Sequence, residues 1–399
     1  MKKLMILGAG PNQVPLIQAA KKKGYYTYVC DYSSSAPGVA FADELCLVSI
    51  MDKDGVLQAA REKQVDGVIS NSEPAMPIVA YVGNSLALPS NSEETIGCMT
   101  DKVKFRRILS RNSFRVPAFG SAKTLEEAKV LACQIGFPLM MKPGASSGSR
   151  GVKKIVSLDN FDDYFHKALE ISRTKEVILE EFIENQCAYV TGGDIFVSKG
   201  EVVFWGLMSC IRDQENAPLV PMGEIYPPVL TSEQIMSIKK ELTRAITVLG
   251  FKSGAINVEI MLDAQGNVFF VELNPRNGGN MIPEELQLVT GFDIFTATVT
   301  TAVGDELPHI NENMQNVAKT AVTYMVHTMT PGVLKRVSFS DEISKSIVGY
   351  YPDLFPGDPV EPFFSADKKI GVLILKFGTV EERNMVLEGI KNHIFVEME

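Results

Sequence analysis

The sequence contains few of the residues that build disulfide frameworks, zinc sites or histidine-based active sites. Its 399 residues include six cysteines, four histidines and one tryptophan. The cysteines are scattered and form no Cys-x-x-Cys pair, so we expect neither zinc nor disulfides, and we predict free thiols in a reducing cytoplasm. The histidines at positions 166, 309, 327 and 393 lie outside every motif discussed below. Acid–base chemistry by histidine therefore has no support.

Long apolar runs and a strong positive charge are absent as well. No run reaches the ~18 apolar residues that a membrane span needs. The N-terminal segment Met1–Leu7 is short and leads directly into a glycine turn, so it predicts a first strand and not a signal peptide. A formal net charge of −9 and a pI near 5.2 argue against nucleic acid or an anionic membrane as partner. We expect small-molecule partners and a cytoplasmic protein, with a homodimer as the assembly to test.

What the sequence does contain is typical of a multidomain globular protein of mixed α/β and α+β class. Hydrophobic residues make up 45% and charged residues 22%, which is enough for several well-packed cores. Turn and helix-capping residues along the chain predict an open parallel α/β unit at 1–95 and a strand–helix unit with a glycine-rich loop at 96–185. A mainly antiparallel unit is expected at 186–305, followed by a small α+β subdomain at 306–399.

The first of these units alternates short apolar runs with helix-length stretches. The predicted strands are Leu4–Leu7, Tyr26–Cys30, Leu45–Val48 and Gly67–Ile69, and the predicted helices are Pro11–Lys23, Lys53–Lys63 and Pro74–Leu86. Ligands of such sheets bind beyond the carboxyl ends of the strands, where Gly10, Asp31 and Glu73 occur. A dinucleotide site is the less favoured interpretation, because Gln13 replaces the third glycine of its motif. Glu73 is either a substrate contact or an acid that favours a helix N-terminus.

The most informative segment is a predicted hairpin formed by Ala255–Leu262 and Asn267–Asn274. Strand side chains alternate between faces, so a turn near Asp263–Gly266 places Glu259 and Glu272 on the same face. That face is expected to carry Asn257, Glu259, Met261, Phe270, Glu272 and Asn274. The opposite, apolar face is expected to carry Ile256, Val258, Ile260, Leu262, Phe269, Val271 and Leu273.

Two neighbouring carboxylates repel each other unless a cation binds between them. Magnesium suits Glu259 and Glu272, because it prefers oxygen ligands and shares its coordination shell with phosphates. Arg276 follows closely and can bind a phosphate or carboxylate through two hydrogen bonds. The alternative is an ordinary solvated strand face.

A second candidate element is the glycine- and serine-rich loop that follows Lys142. Its small residues let backbone N–H groups approach phosphate oxygens. Alone, the loop is equally compatible with a flexible connection, and it does not match the P-loop pattern. Lys102 is less specific still, since most helix lysines are solvated.

Taken together and in order, these segments resemble the ATP-grasp superfamily, in its carboxylate–amine ligase branch. The matching segments are Asp101-Lys102, Pro138–Gly151, Leu179–Ile183, Asn257-Val258-Glu259, Val271–Arg276 and Asn277-Gly278-Gly279. The resemblance implies a two-lobed ATP-grasp domain over 96–305, with the parallel α/β unit before it. It also implies ATP together with Mg²⁺, or Mn²⁺ in its place, as the nucleotide and metal.

The resemblance assigns an expected role to each matching residue. The residues expected to bind ATP are Lys102, Lys142, Ser147, Gly148, Ser149, Gly151, Glu180, Glu181, Phe182, Ile183 and Met261. Glu259, Glu272 and Asn274 would hold the metal, and Arg276 would stabilise an acyl phosphate. The residues expected to be catalytic are Arg276, Glu272 and Asn274. Substrate contacts are expected from Glu73, Gly10, Arg276, Gly278 and Gly279. Leu179–Ile183 would be the hinge strand that contacts the adenine. In the family a glutamate usually follows this hinge and binds ribose; here Glu184 or Asp194 would have to substitute for it.

The implied reaction is ligation of a carboxylate to an amine through an acyl phosphate, with release of ADP. Two alternatives stay open on the sequence. An ATP-grasp carboxylase would activate bicarbonate with the same nucleotide machinery. A dinucleotide-binding protein would use the turn around Gly10 and would leave the Glu259–Glu272 hairpin unexplained.

Overall fold

A computed structural model describes residues 1–146, 150–213, 216–307 and 320–399. The predictions for Ser147, Gly148 and Ser149 therefore lie outside the described residues. Within the described ranges, no helix combines the length and the apolar character needed to cross a membrane.

The N-terminal unit is an open parallel sheet with helices packed on it, as predicted. Its elements are β1 (Lys3–Leu7), α1 (Val14–Lys22), β2 (Tyr26–Asp31), β3 (Glu44–Leu47), α2 (Lys53–Lys63), β4 (Gly67–Ile69) and α3 (Met76–Ser85). The strands run in the order β3-β2-β1-β4 and all pairs are parallel. A short 3₁₀ helix, Glu73–Ala75, follows β4, so Glu73 stands at the carboxyl edge of this sheet.

The next unit is a four-stranded antiparallel sheet covered by two helices. Its elements are α4 (Glu93–Met99), α5 (Lys102–Arg111), β5 (Phe119–Ala122), α6 (Leu125–Ile135), β6 (Leu139–Pro143), β7 (Lys153–Ile155), α7 (Phe161–Ile171) and β8 (Val177–Glu181). The strand order is β5-β8-β6-β7. The sequence Thr124-Leu125-Glu126-Glu127 predicts a capping box at the start of α6. In the structure the side chains of Thr124 and Glu127 each accept from the other's backbone N–H.

An eight-stranded antiparallel sheet forms the largest layer, in the order β13-β12-β9-β10-β11-β14-β18-β16. Its first part contains β9 (Val190–Ser198), β10 (Glu201–Asp213), β11 (Ala217–Tyr226), α8 (Ser232–Leu249), β12 (Gly254–Leu262), β13 (Val268–Asn274), α9 (Ile282–Thr290) and α10 (Ile294–Ala302). Helix α10 packs on α1 and shares a core with the parallel sheet through Phe295 and Val299. The N-terminal unit is therefore packed directly against the largest layer.

The C-terminal segment, residues 320–399, divides its strands between the eight-stranded sheet and a separate small sheet. Its elements are β14 (Thr320–Val326), β15 (Gly332–Phe339), α11 (Asp341–Ser344), β16 (Ile347–Pro352), β17 (Pro359–Val360), β18 (Gly371–Phe377), α12 (Val380–Glu388) and β19 (Ile394–Met398). Strands β14, β16 and β18 extend the eight-stranded sheet, while β17, β15 and β19 form a small sheet of three.

The β12–β13 hairpin differs from the prediction in one respect. Glu259 pairs with Glu272, but the next pair is Ile260 with Phe270, so one extra residue of β13 forms a bulge. A bulge reverses the facing of the side chains on one side of it relative to those on the other side, here residues 268–270 relative to residues 272–274. The assignment of Phe270 to the carboxylate face was therefore wrong, because Phe270 is buried in the core. Phe269 and Val271, assigned to the apolar face, are only partly buried instead.

Candidate functional site

A cleft of about 860 Å³ lies between the four-stranded sheet and the eight-stranded sheet. Although the chain carries a net charge of −9, this cleft collects cationic side chains. Those lining it are Lys102, Arg106, Lys142, Lys153, Lys154 and Arg212. The same lining holds the carboxylates of Glu180, Glu181, Glu184, Glu259 and Glu272. The charges therefore nearly balance, and an anionic ligand would be bound by individual cations and not by a net positive field.

The innermost charges of the cleft form a buried three-residue ion cluster. The Glu180 carboxylate, at the end of β8, accepts from Arg106 Nε through one oxygen and from Lys142 Nζ through the other. Glu180 is 2% exposed. Burial alone would raise its pKa, but the two cations outweigh burial and lower the pKa to about 2. The cluster thus holds the Lys142 ammonium at a fixed position beside the hinge strand.

Arg106 also explains the bulge in β13. Its Nη1 donates to the Phe270 carbonyl at 2.7 Å and its Nη2 donates to the Val271 carbonyl at 3.1 Å. A bulge leaves ladder groups unpaired, and here a guanidinium from α5 binds the two carbonyls at that point. Arg106 therefore ties the helix that carries Lys102 to the strand that carries Glu272.

Lys102 lies at the start of α5 and points into the cleft. The Asp101 side chain caps the helix by accepting from the backbone N–H groups of Val103 and Lys104. The Lys102 backbone N–H donates to the Gly144 carbonyl at 2.9 Å, which positions the residue against the end of β6. Its Nζ donates to Glu272 Oε1 at 2.7 Å and to the Ser146 carbonyl at 3.0 Å. The lysine thus spans the glycine-rich segment and the carboxylate hairpin.

The paired carboxylates of the hairpin each contact a cation from another element. Glu259 and Glu272 are directly opposite in the β12–β13 ladder, with Glu259 bonded to Arg212 of β10 and Glu272 to Lys102. Burial would raise the pKa of Glu272, but Lys102 outweighs it and the pKa is lowered. Within the described ranges, no three Asp, Glu, His or Cys side chains cluster as a metal site. Any metal here would rest on two carboxylates and the Asn274 amide oxygen.

The remaining residues predicted to bind the nucleotide lie around the hinge. Phe182, Ile183, Glu181 and Met261 all line the cleft, and Lys154 stacks over the Phe182 ring at 3.7 Å from its centroid. Gly151 has φ of +73°, and a side chain there would lie 2.9 Å from Pro143 Cγ. Glycine is therefore required where the loop returns to β7.

Asp194, one of two residues considered for ribose, has a different position. It is fully buried and accepts from Asn257 Nδ2 at 2.9 Å and from the Gly278 backbone N–H at 2.8 Å. Burial raises its pKa to about 6. The assignment of Asp194 to ribose was wrong, because it holds the segment after Arg276 in place. Glu184 does line the cleft.

The predicted substrate residues lie at a second region, where the parallel sheet meets the large sheet. Glu73 is 5% exposed, and its Oε1 accepts from Arg173 Nη2 at 3.0 Å. Its Oε2 has no partner among the residues that the structure describes. Burial and the nearby Glu272 raise the pKa of Glu73, and Lys102 and Arg276 oppose that rise. Glu73 therefore lies within electrostatic reach of both the metal hairpin and Arg276.

The other residues predicted near the substrate are less tightly grouped. Gly278 is buried against Asn257 and Asp194, and Gly279 is exposed. Gly10 begins a 3₁₀ helix in the N-terminal unit. The neighbouring turn is braced by Asp31, whose carboxylate accepts from the Ala9 and Ser33 backbone N–H groups. The Asp31 carboxylate thus accepts hydrogen bonds from the backbone of its own unit. In the dinucleotide interpretation an acid at this place would bind the ribose instead.

Sequence reasoning missed Arg106, Arg212 and Arg173. Arg106 had a signal, because it follows Lys102 by four residues and shares its helix face. Arg212 and Arg173 carried no motif, and only the folded arrangement places them beside Glu259 and Glu73.

Comparison with known proteins agrees with this geometry. Residues 101–310 match the family described as carbamoyl-phosphate synthase L chain, ATP binding domain, and residues 4–86 match the PylC-like N-terminal domain. The carbamoyl phosphate synthase large chain of Archaeoglobus fulgidus is 28% identical over 294 residues, covering 69% of this chain. The chain spans only 27% of the length of that relative.

Two solved structures share the fold over almost the whole chain. The L-amino acid ligase from Bacillus licheniformis has a TM-score of 0.84 at 19% identity, covering 100% of this chain and 99% of its own. The biotin carboxylase domain of 2-oxoglutarate carboxylase from Hydrogenobacter thermophilus, solved with MgADP and bicarbonate, has a TM-score of 0.75 at 20% identity. It covers 99% of this chain and 90% of its own. The chain therefore belongs to the carbamoyl-phosphate synthase L chain ATP-binding domain family and is an ATP-grasp enzyme.

Proposed function

We propose that the protein joins a carboxylate to an amine in an ATP-dependent reaction that proceeds through an acyl phosphate and releases ADP and phosphate. The observation that carries this proposal is the opposed pair Glu259 and Glu272, each contacted by a cation from a different element. Such a pair at the edge of a cleft that contains these cations suits a metal-bound triphosphate.

The first chemical step is attack of a substrate carboxylate oxygen on the γ-phosphorus, with ADP as leaving group. Lys102 and Lys142 supply positive charge along the phosphates, and the buried Glu180–Arg106 pair keeps Lys142 oriented. Catalysis of this kind is positioning and charge stabilisation. Arg276 is proposed to neutralise the carboxylate and the acyl phosphate formed from it, and Glu272 and Asn274 are proposed to take part in catalysis through the metal that they would hold.

The second step is attack of an amine on the carbonyl carbon, with inorganic phosphate as leaving group. The amine loses its proton to a carboxylate or to the departing phosphate. Glu73 supports this acceptor chemistry, because its buried Oε2 lacks a partner within the described ranges and a buried carboxylate oxygen is costly unless a donor binds it. An ammonium group supplies such a donor. Bicarbonate would replace the carboxylate of the first step, so Glu73 bears on the amine and does not separate the ligase from an ATP-grasp carboxylase.

The donor set fits a hard divalent cation. Glu259, Glu272 and the Asn274 amide provide oxygen ligands of the type that magnesium or manganese prefers. When bound, the metal would neutralise charge on the transferring phosphoryl group. Lys102 and Arg212 occupy the two carboxylates in the present arrangement, so they would share those carboxylates with the metal.

The remaining residues are likewise divided between the nucleotide and the substrates. ATP contacts are proposed for Ser147, Gly148, Ser149, Gly151, Glu181, Phe182, Ile183 and Met261, and substrate contacts for Gly10, Gly278 and Gly279. The four-part division at residues 95, 185 and 305 stays a proposal too.

A product screen tests the proposal. The protein would be incubated with ATP and Mg²⁺ and with pairs of amino acids or small acids, and ADP, AMP and phosphate would be quantified. We expect ADP and phosphate that depend on both an acid and an amine. AMP with pyrophosphate would overturn the acyl phosphate, and ADP release driven by bicarbonate alone would favour the carboxylase.

A further inference from the structure

An aromatic side chain from the C-terminal segment lines the nucleotide cleft. Phe364 is 68% exposed, yet it lies among the lining residues of the cleft together with the hinge. Its neighbour Phe363 is fully buried in the core of the C-terminal segment. One ring thus anchors the chain while the next is presented to the cleft. An exposed ring at a ligand site gains free energy when a ligand covers it.

The backbone around Phe364 is fixed rather than free. The Phe363 backbone N–H donates to the Thr328 carbonyl at 3.1 Å, and Lys368 pairs with Glu361 at 2.6 Å. The short helix Ala366–Lys368 packs against β11. These contacts fix the backbone that presents the ring, so a ligand that binds against the ring has little backbone to order.

The position of Phe364 indicates which ligand it meets. Glu73, Arg276 and Gly278, at the proposed acceptor region, are not among the lining residues of this cleft. Tyr189, which continues the hinge segment, lines the cleft and also packs against the core that contains Phe363. Phe364 therefore shares the cleft with the hinge segment and not with the acceptor residues Glu73, Arg276 and Gly278.

We propose that Phe364 is a nucleotide-positioning residue whose ring packs against the purine base of bound ATP or ADP. This inference rests on the proposed function only in requiring that ATP occupies the cleft. It gives the C-terminal segment a part in nucleotide binding that its sequence did not suggest. Contact between a base and an aromatic ring changes affinity by about tenfold or more.

Affinity for ADP is the first test, measured by calorimetry with Mg²⁺ present. We expect Phe364→Ala to raise the ADP Kd by about tenfold, and Phe364→Tyr to restore nearly normal affinity, since base stacking needs only the ring. Phe355→Ala is the matched control, because Phe355 is 59% exposed in the same segment and does not line the cleft. Equal ADP affinity in the Phe364→Ala and Phe355→Ala variants would overturn the proposal. If the unsubstituted protein fails to bind ADP, the proposed function fails with it.

A fluorescence reporter separates contact with the base from indirect effects. Trp205 is the single tryptophan of the chain, so Trp205→Phe combined with Phe364→Trp gives one emitting residue at the cleft. We expect ADP to change its emission, and tripolyphosphate, which has no base, to leave it unchanged. If the emission changed with an amino acid substrate but not with ADP, Phe364 would belong to the acceptor site, and the proposal would be overturned.

Discussion

The two regions of the site differ in how their buried charges are satisfied. At the nucleotide region, Glu180 has both oxygens bonded, one by Arg106 and one by Lys142. At the acceptor region, one Glu73 oxygen and the buried Asn277 amide nitrogen have no hydrogen-bond partner in the described part of the chain. Among the described residues, the Glu180 cluster is thus fully paired, whereas Glu73 and Asn277 keep unfilled hydrogen-bonding capacity. Within the nucleotide cleft the same holds for Arg212, whose buried Nε has no partner among these residues.

The difference has a physical meaning. A fully paired charge cluster is preorganised, so binding there costs little rearrangement. An unpaired buried polar atom costs free energy until a ligand pairs with it, and such atoms are expected where a ligand binds. The substrate is therefore expected to pair with the open groups of Glu73 and Asn277, while ATP meets a Glu180 cluster that is already formed.

The largest expected effect comes from removing a carboxylate that the nucleotide region needs. Glu272→Ala should abolish magnesium-dependent ATP binding and lower kcat/KM by at least about a hundredfold, because the metal loses one of two carboxylates. Calorimetry with and without Mg²⁺ measures this, and circular dichroism checks the fold. Glu241→Gln, which removes a partner of Arg244 outside the cleft, should bind ATP normally. Unchanged nucleotide affinity in Glu272→Ala would remove the metal assignment.

The next effect is on stability. Glu180→Gln leaves Arg106 and Lys142 without their carboxylate and should cost about 3–5 kcal/mol of unfolding free energy, measured in urea. The exposed pair partner Glu397→Gln should cost no more than about 1 kcal/mol. If Glu180→Gln lowered the free energy of unfolding by less than about 1 kcal/mol, the buried ion cluster would not be what stabilises this region.

The same variant has a pH signature. The pKa of Glu180 is lowered from 4.5 to about 2, so its ionisation stabilises the fold fully above pH 4.5, and this contribution disappears as the pH falls toward 2. Stability of the unsubstituted protein should therefore fall more steeply in that window than stability of Glu180→Gln. Parallel acid profiles for the two proteins would contradict the lowered pKa.

How far the sequence predicted these regions depends on the type of signal. The parallel sheet, the capping boxes and the Glu259–Glu272 pairing follow from local patterns, and the resemblance led to the correct family. The bulge in β13 could not be predicted, because it depends on Arg106 reaching the Phe270 and Val271 carbonyls from a distant helix. The burial of Asp194 and the partner of Glu259 likewise depend on contacts between separate elements.

A smaller effect is expected at the acceptor region. Glu73→Ala should raise KM for the amine-bearing substrate by about tenfold and leave KM for ATP within about twofold, because only one substrate loses a contact. Steady-state kinetics with each substrate varied in turn measures this split. A variant that is kinetically silent for every accepted substrate would reduce Glu73 to an acid at the start of a short helix.

The smallest expected effect is at the adenine wall. Met261 is partly buried, pairs with Phe269 across the hairpin and lines the cleft. Met261→Ala should weaken ATP binding by about three- to tenfold through lost apolar contact, without changing KM for the acceptor. A change in acceptor KM instead would place Met261 in the other region.

The acyl phosphate is the central claim, and oxygen transfer tests it most directly. The carboxylate substrate found in the product screen would be labelled with ¹⁸O in both carboxyl oxygens, and the released phosphate analysed by mass spectrometry after complete turnover with ATP and the amine. Attack of the carboxylate on the γ-phosphorus predicts one ¹⁸O atom in each phosphate released, together with ADP. Unlabelled phosphate, or the label in AMP, would contradict the account.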